Sequence, residues 1–502
     1  MTTVQIVGIA VAAAIVILLV IALLVTRRRG SAGEEPAAVV FPASFLDDAP
    51  QDTLSGLGKA EQPMEDITVD PGLQRQVQSA DESSVPARSL TTPPEQREPD
   101  VLSLDWGSAG SVQAADPSTY GGDLDFLRQH TKVIELQNGE AAVAIAPAYQ
   151  GRVMTSTATG NSGYSFGWLN YKVIQQGVLT PDQAKGKLEE HIYVFGGEER
   201  FWLGPEGGQF GIFFPKGAAF DFASWKTPAP LDTEPFDVVS STPISAVFAK
   251  SFQVSNQSGT QFKVEVERKI GLLGATEIEQ LLGKEAAGAK VVAYATLNTL
   301  INRGDQAWTK DTGLLSIWLL GMYKPSPGTV MAIPVRDGEA SALGPQVNDD
   351  YFGKVPADRL KVKDNVIFFK GDGTFRSKIG VPPKRALGVA GSYCAEEKAL
   401  TLTMYYPDGS DYVNSAWAIQ EKPFGGDATN AYNDGSPEPG KPPLGPFYEL
   451  ESSSPAAALK PGGQIVHRQV TFHLTGSAAV LDAVAKKHLH ATTAEISGAF
   501  AK

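Results

Sequence analysis

Ile244-Ser-Ala-Val-Phe-Ala-Lys-Ser-Phe-Gln-Val-Ser-Asn256 and Thr260-Gln-Phe-Lys-Val-Glu-Val-Glu-Arg-Lys-Ile-Gly-Leu272, joined by Gln257-Ser258-Gly259, decide the fold class of this chain. In the second run Phe262, Val264 and Val266 alternate with Lys263, Glu265 and Glu267. Successive side chains of a strand point to opposite faces, so this run has one apolar and one polar face. Two such runs around a glycine-containing connection predict a hairpin. Working outward, the same period marks 133–137 and 141–146, with Asn138-Gly139 as the turn between them. It recurs at 152–158, 289–302, 315–323, 329–335, 365–370, 399–406, 411–420, 447–451 and 464–475. Helical period is confined to short pieces at 170–176, 181–190 and 275–282, and to one helix from Ser477, a suitable N-cap, to His488. More than a dozen strands without β-α-β alternation predict an all-β fold of antiparallel sheets. The absence of a fixed-period repeat excludes a propeller or solenoid.

The chain has 502 residues, of which 20% are charged. Residues 4–26 are apolar or small except Gln5 and Thr26, and Arg27-Arg28-Arg29 follows. Such a run is long enough to cross a bilayer as a helix. Charge after the apolar run argues for a retained transmembrane helix over a cleaved signal. The positive-inside rule then predicts a single-pass membrane protein with everything downstream cytoplasmic, the opposite orientation being costlier but open. Residues 31–120 hold sixteen acidic and four basic side chains, with many Pro, Ser and Gln. That composition predicts a disordered linker over 27–120 and makes nucleic acid an unfavourable partner. The linker's −12 and the anchor's +3 account for most of the net −13, leaving about −4 for the domain expected at 121–502. Cys394 is the only cysteine, which excludes an internal disulfide and any zinc site of several thiolates. Phosphate-binding loops, dinucleotide fingerprints and zinc-protease motifs are absent, so no cofactor and no metal is expected.

Three stretches hold candidate binding chemistry. His191 to Phe210 puts His191, Arg200, Trp202 and Glu206 among five glycines. Aromatic faces with carboxylates and guanidinium groups suit a sugar, which presents C–H faces and vicinal hydroxyls. Tyr448-Glu449-Leu450-Glu451 places two carboxylates on one strand face, where a raised pKa would make a general base. Lys370 to Lys378 offers Lys378 to a polar groove. Ion pairs and turns within the fold explain the same residues equally well.

Gly196-Gly-Glu-Glu-Arg-Phe-Trp-Leu-Gly-Pro-Glu206 resembles the Gly-Gly-x-x-Arg-x-Trp-x-x-Pro-Glu signature of galactose mutarotase-like (aldose 1-epimerase-like) domains. Gly151-Arg152-Val-Met154 is similar to that superfamily's opening strand. Tyr448-Glu-Leu-Glu-Ser-Ser-Ser-Pro455, Leu459-Lys-Pro-Gly-Gly463 and the strand through His473 resemble its end. The resemblance runs over about 124–476 and looks closest to an uncharacterised bacterial branch. It implies a large antiparallel β-supersandwich with a carbohydrate ligand in a cleft across one sheet. It implies Glu451 as general base and Arg200, Trp202 and Glu206 on the sugar-binding face; Glu449, Arg152 and Lys378 are further candidate ligand contacts. The acid of these enzymes lies in a His-x-Tyr-Phe-Asn string that this chain lacks. His191, in His191-Ile-Tyr193, and His473 are the available candidates. A membrane-anchored carbohydrate-binding domain is the expected function, with an inert protein-interaction platform as the alternative.

Overall fold

A computed structural model describes residues 119–437 and 440–501. The expected transmembrane helix at 4–26 and nearly all of the 27–120 linker lie outside the described residues. Among the described residues, no helix is long and apolar enough to cross a membrane.

Every strand pairing is antiparallel, as the alternating pattern requires. Strands β1 (Ile134–Asn138), β2 (Ala141–Ala146) and β3 (Arg152–Thr157) form a three-stranded sheet. Strand β4 (Arg200–Gly204) opens a five-stranded sheet. Strands β5 (Asp237–Ser241), β6 (Ser245–Ser255), β7 (Gln261–Leu272) and β8 (Lys290–Asn302) build one side of a ten-stranded sheet. Next come β9 (Ser316–Tyr323), β10 (Val330–Pro334), β11 (Leu360–Lys363), β12 (Val366–Lys370), β13 (Ser377–Val381) and β14 (Val389–Cys394). The last four are β15 (Ala399–Tyr405), β16 (Thr429–Asn433), β17 (Tyr448–Ser453) and β18 (Gln464–Thr475). The large sheet runs β11-β12-β10-β14-β15-β18-β8-β7-β6-β5, and the five-stranded sheet β13-β16-β17-β9-β4. The hairpin that opened the sequence reading is β6–β7, with Phe252 opposite Val264.

The two larger sheets pack face to face through alternate residues. From β17, Tyr448 reaches Ser392 of β14, and Ser452 reaches His467 and Gln469 of β18. Leu450 fills the space between them. The face left over on β17 carries Glu449 and Glu451, so the alternation that put both carboxylates on one side holds.

Charge is buried where the loop before β4 crosses β7 and β18. Glu199 accepts from Arg268 Nη2 at 2.9 Å and from Gln469 Nε2 at 2.8 Å, and both ion-pair side chains are fully buried. Arg268 also donates to Asn298 Oδ1 at 2.6 Å and to the Gly151 carbonyl at 3.1 Å. Its neighbour Glu198 accepts from Ser156 Oγ and pairs with His473 Nε2 at 3.0 Å. Thus Gly196 to Glu199 ties three sheets together. Gly197 sits at φ +108, where a Cβ would stand 2.8 Å from the Val153 carbonyl, so a side chain is excluded twice over.

Two predicted elements come out differently. The run 411–420 is irregular and not a strand, with an isolated bridge at Tyr412 and bends only at Trp417 and Ala418. There Asn414 Oδ1 accepts from Ala416 N–H and Gln420 Nε2 donates to the Asn414 and Ala416 carbonyls, so side chains compete with any ladder. The helix expected over 181–190 divides into Pro181–Ala184 and a 3-10 turn at Leu188–Glu190, broken by Gly186 at φ +73. The final helix, Ala478–Leu489, starts on the Ser477 cap as expected.

Candidate carbohydrate cleft

The outward face of the five-stranded sheet is set by register. Asn430 of β16 lies opposite Glu451, Glu451 opposite Leu320 of β9, and Leu320 opposite Arg200 of β4. One step along, Lys378 of β13 lies opposite Tyr432 and Tyr432 opposite Glu449. Trp318 pairs with Trp202 on one side and Ser453 on the other. The sheet therefore brings Arg200, Trp202, Lys378, Glu449 and Glu451 to one face.

Glu451 is the centre of that face. Its Oε2 accepts from Lys378 Nζ at 2.9 Å and from the Trp318 indole at 2.8 Å. Its Oε1 is buried without a protein partner, as is the Ser316 hydroxyl. An unpaired buried acceptor costs about 1–3 kcal/mol, so a donor from outside the chain is favoured here. The Lys378 ammonium stands 4.7 Å from the centre of the Trp318 ring and 5.7 Å from that of Tyr351. Glu449 pairs with Arg200 at 3.1 Å, and that guanidinium lies 4.0 Å from the Trp202 ring. Burial pushes the Glu449 carboxyl up, Arg200 opposes this and Glu451 adds to it.

A small, open pocket lies between Trp318, Lys378, Tyr351, Asp427, Asn430 and Ser415. The segment holding Tyr351 is strapped over β13 and β16. Asp427 accepts from Tyr351 Oη at 2.6 Å and from Asn348 Nδ2 at 2.7 Å. Burial raises the Asp427 carboxyl to about 6, with these two hydrogen bonds holding it lower than it would otherwise stand.

Two loops close the other side. Gln209 and Gln420 exchange side-chain and backbone bonds at 2.9 and 3.0 Å, and the Glu206 N–H donates to Ser415 Oγ at 3.1 Å. A Cβ on Gly207 would stand 2.6 Å from the Ala416 carbonyl, so the loops meet only because that residue is glycine. The contact holds Glu206 beside Lys378, Trp417 and Trp225, and burial raises its carboxyl while Lys378 lowers it. Trp225 and Trp417 stack with centroids 5.8 Å apart.

Three expected site residues stand outside this arrangement. Arg152 is fully buried, donating to the Gly196 carbonyl and to Gln150, so no ligand reaches it. His473 is fully buried on β18, bound to Glu198 and Thr401 and stacked on Phe166. His191 is bonded through Nδ1 to the Trp225 carbonyl at 2.7 Å and packs against Phe222. It supports Trp225 from behind. Trp202, placed on the cleft face, donates to the Leu231 carbonyl and serves chiefly as the surface under Arg200. Sequence reasoning missed Trp318, Tyr351, Asp427, Asn430, Trp225 and Trp417, four of them aromatic.

The model of a family of unknown function, DUF6786, matches residues 118–500. No curated protein matches the chain. Among solved structures it is similar to the Slr1438 protein of Synechocystis sp., at 13% identity and a TM-score of 0.42, covering 69% of this chain and 96% of that one. It is similar to a galactose mutarotase-like protein from Lactobacillus casei, at 12% identity and 0.39, covering 68% and 99%. A galactose mutarotase related enzyme from Lactobacillus acidophilus gives 11% and 0.36, covering 69% and 98%.

Proposed function

We propose that this chain, which belongs to the family of unknown function DUF6786, binds a carbohydrate on the outer face of its five-stranded sheet. The observation that carries this reading is Glu451. Its carboxylate is held by Lys378 and Trp318, which line the pocket with Tyr351, and keeps one buried oxygen without a partner among the described residues. A sugar hydroxyl supplies the missing donor, and its C–H face suits Trp318 and Tyr351. Binding to a glycan array should be strong for some neutral or charged sugar and fall about tenfold or more in Glu451→Gln, since hydrogen bonds to charged groups are the strong ones. An array that stays blank for the wild-type protein sinks the reading in favour of a protein-interaction platform.

One observation favours chemistry on the bound sugar as well. Glu206 and Glu451 share the cleft in different environments: Glu451 is salt-bridged, whereas burial favours the protonated form of Glu206. Such a pair can divide base and acid roles. Glu451 would take the anomeric hydroxyl proton while Glu206 gives one to the ring oxygen, opening the ring, and reclosure on the other face inverts the anomer. Exchange between α and β signals in NMR, lost in Glu451→Gln, is its readout. The run at 4–26, as an anchor, would hold this cleft on the cytoplasmic side of a membrane. Protection of the domain from protease added to intact cells is the expected result, and digestion would reverse the orientation.

A further inference from the structure

Two aromatic–cation stacks follow one another where the strap crosses β13. The first is Tyr351 with Lys378, inside the pocket. The second is Phe352, the next residue of the strap, with Arg376, the residue immediately before β13, and the guanidinium stands 4.0 Å from the ring centre. Arg376 and Lys378 are two residues apart in the chain and Tyr351 and Phe352 are consecutive, so the second stack adjoins the first. Tyr432 lies beneath it, edge-on to Phe352 with centroids 6.1 Å apart, and is itself the register partner of Lys378.

The two stacks differ in how their cations are satisfied. Lys378 is neutralised by Glu451. Among the described residues, nothing accepts a hydrogen bond from Arg376 or forms an ion pair with it. The Asp434 carboxylate, which the Arg376 charge helps hold down, is already occupied by Tyr432 Oη at 2.6 Å and the Gly445 N–H at 2.9 Å. The contrast with its neighbour Arg359 is direct, since Arg359 packs on Phe375 in the same way and is paired with Asp372. Phe352 is 45% exposed, so part of its ring is open to a ligand.

Resting on the carbohydrate reading, we infer that the cleft has a second subsite at Phe352 and Arg376, and that its ligand is a glycan of at least two units whose outer unit bears an oxyanion. Phe352 offers a face to the second ring. Arg376, fixed flat against that ring, keeps its N–H edge for a planar or tetrahedral oxyanion, which guanidinium binds in bidentate fashion. The shared chemistry fits a uronate carboxylate or a sulfate ester.

The test compares, at one ionic strength, monosaccharides, neutral trisaccharides, uronate trisaccharides and sulfated neutral trisaccharides on the full chain. The wild-type protein should bind one anionic class about tenfold or more tighter than its neutral counterpart, as one charged hydrogen-bond pair implies. Arg376→Gln should erase that preference and leave monosaccharide affinity unchanged. Arg376→Lys should keep part of it, and Phe352→Ala should weaken trisaccharides of every charge. Which anionic arm responds tells uronate from sulfate. Equal binding of anionic and neutral trisaccharides, or a preference that survives Arg376→Gln, overturns the second subsite while leaving the first. Failure of every probe, monosaccharides included, overturns the carbohydrate reading and this inference with it.

Discussion

Replacing Arg268 by Met should destabilise the protein by about 3–5 kcal/mol, the loss typical of breaking a buried ion pair from one side. The side chain is fully buried and its guanidinium serves Glu199, Asn298 and the Gly151 carbonyl at once. The substitution leaves the Glu199 carboxylate in the interior with only Gln469 as donor. Charge, more than lost volume, then sets the cost, because methionine fills much of the arginine's space. The double variant Arg268→Met with Glu199→Gln should therefore recover a large part of the loss. Denaturant midpoints at unchanged slope measure both. A double variant no better than Arg268→Met alone would show that shape and the Asn298 contact, and not the stranded charge, hold this seam.

This seam marks where sequence reading stops. The β6–β7 hairpin was legible because its wet face carries Lys263, Glu265 and Glu267 in strict alternation. Arg268 falls on the dry face of the same strand, beside Val266 and Ile270, and only the partner loop from Gly196 to Glu199 explains it. That partnership spans 69 residues, beyond the reach of any local pattern. Three of the five strands that carry the cleft, β4, β13 and β16, were missed for a related reason. Their outward side chains, Arg200, Lys378 and Asn430, face a cleft instead of water or core, so neither face gives a clean period. Glu449 and Glu451 were found because β17 keeps a plain alternation of carboxylates with Tyr448, Leu450 and Ser452. Tyr351, Trp225 and Trp417 come from irregular segments, where no period exists to flag them.

Replacing Lys378 by Met should be almost as damaging as the Arg268 change, and through the same physics moved to the functional face. The Glu451 side chain is fully buried and that of Lys378 is 11% exposed, so their 2.9 Å pair is shielded from water. With Lys378 gone, Trp318 is the only donor left to the carboxylate among the described residues. A loss of about 3–5 kcal/mol is expected. Glu451→Gln alone should cost less, because a neutral amide is cheaper to bury than an unpaired charge. The double variant should then be more stable than Lys378→Met, and the cycle isolates the pair's coupling from the packing of the lysine stem on Trp318 and Tyr351. On the proposed carbohydrate reading, ligand binding obeys a different order, since any change that removes the Lys378–Glu451 pair removes the proposed sugar contact. All three variants should lose sugar affinity, including the double variant whose stability returns. Binding that returns together with stability in the double variant would show instead that the pair serves the fold and does not contact the ligand. Stability regained without binding is the behaviour of a pair held in place for a ligand.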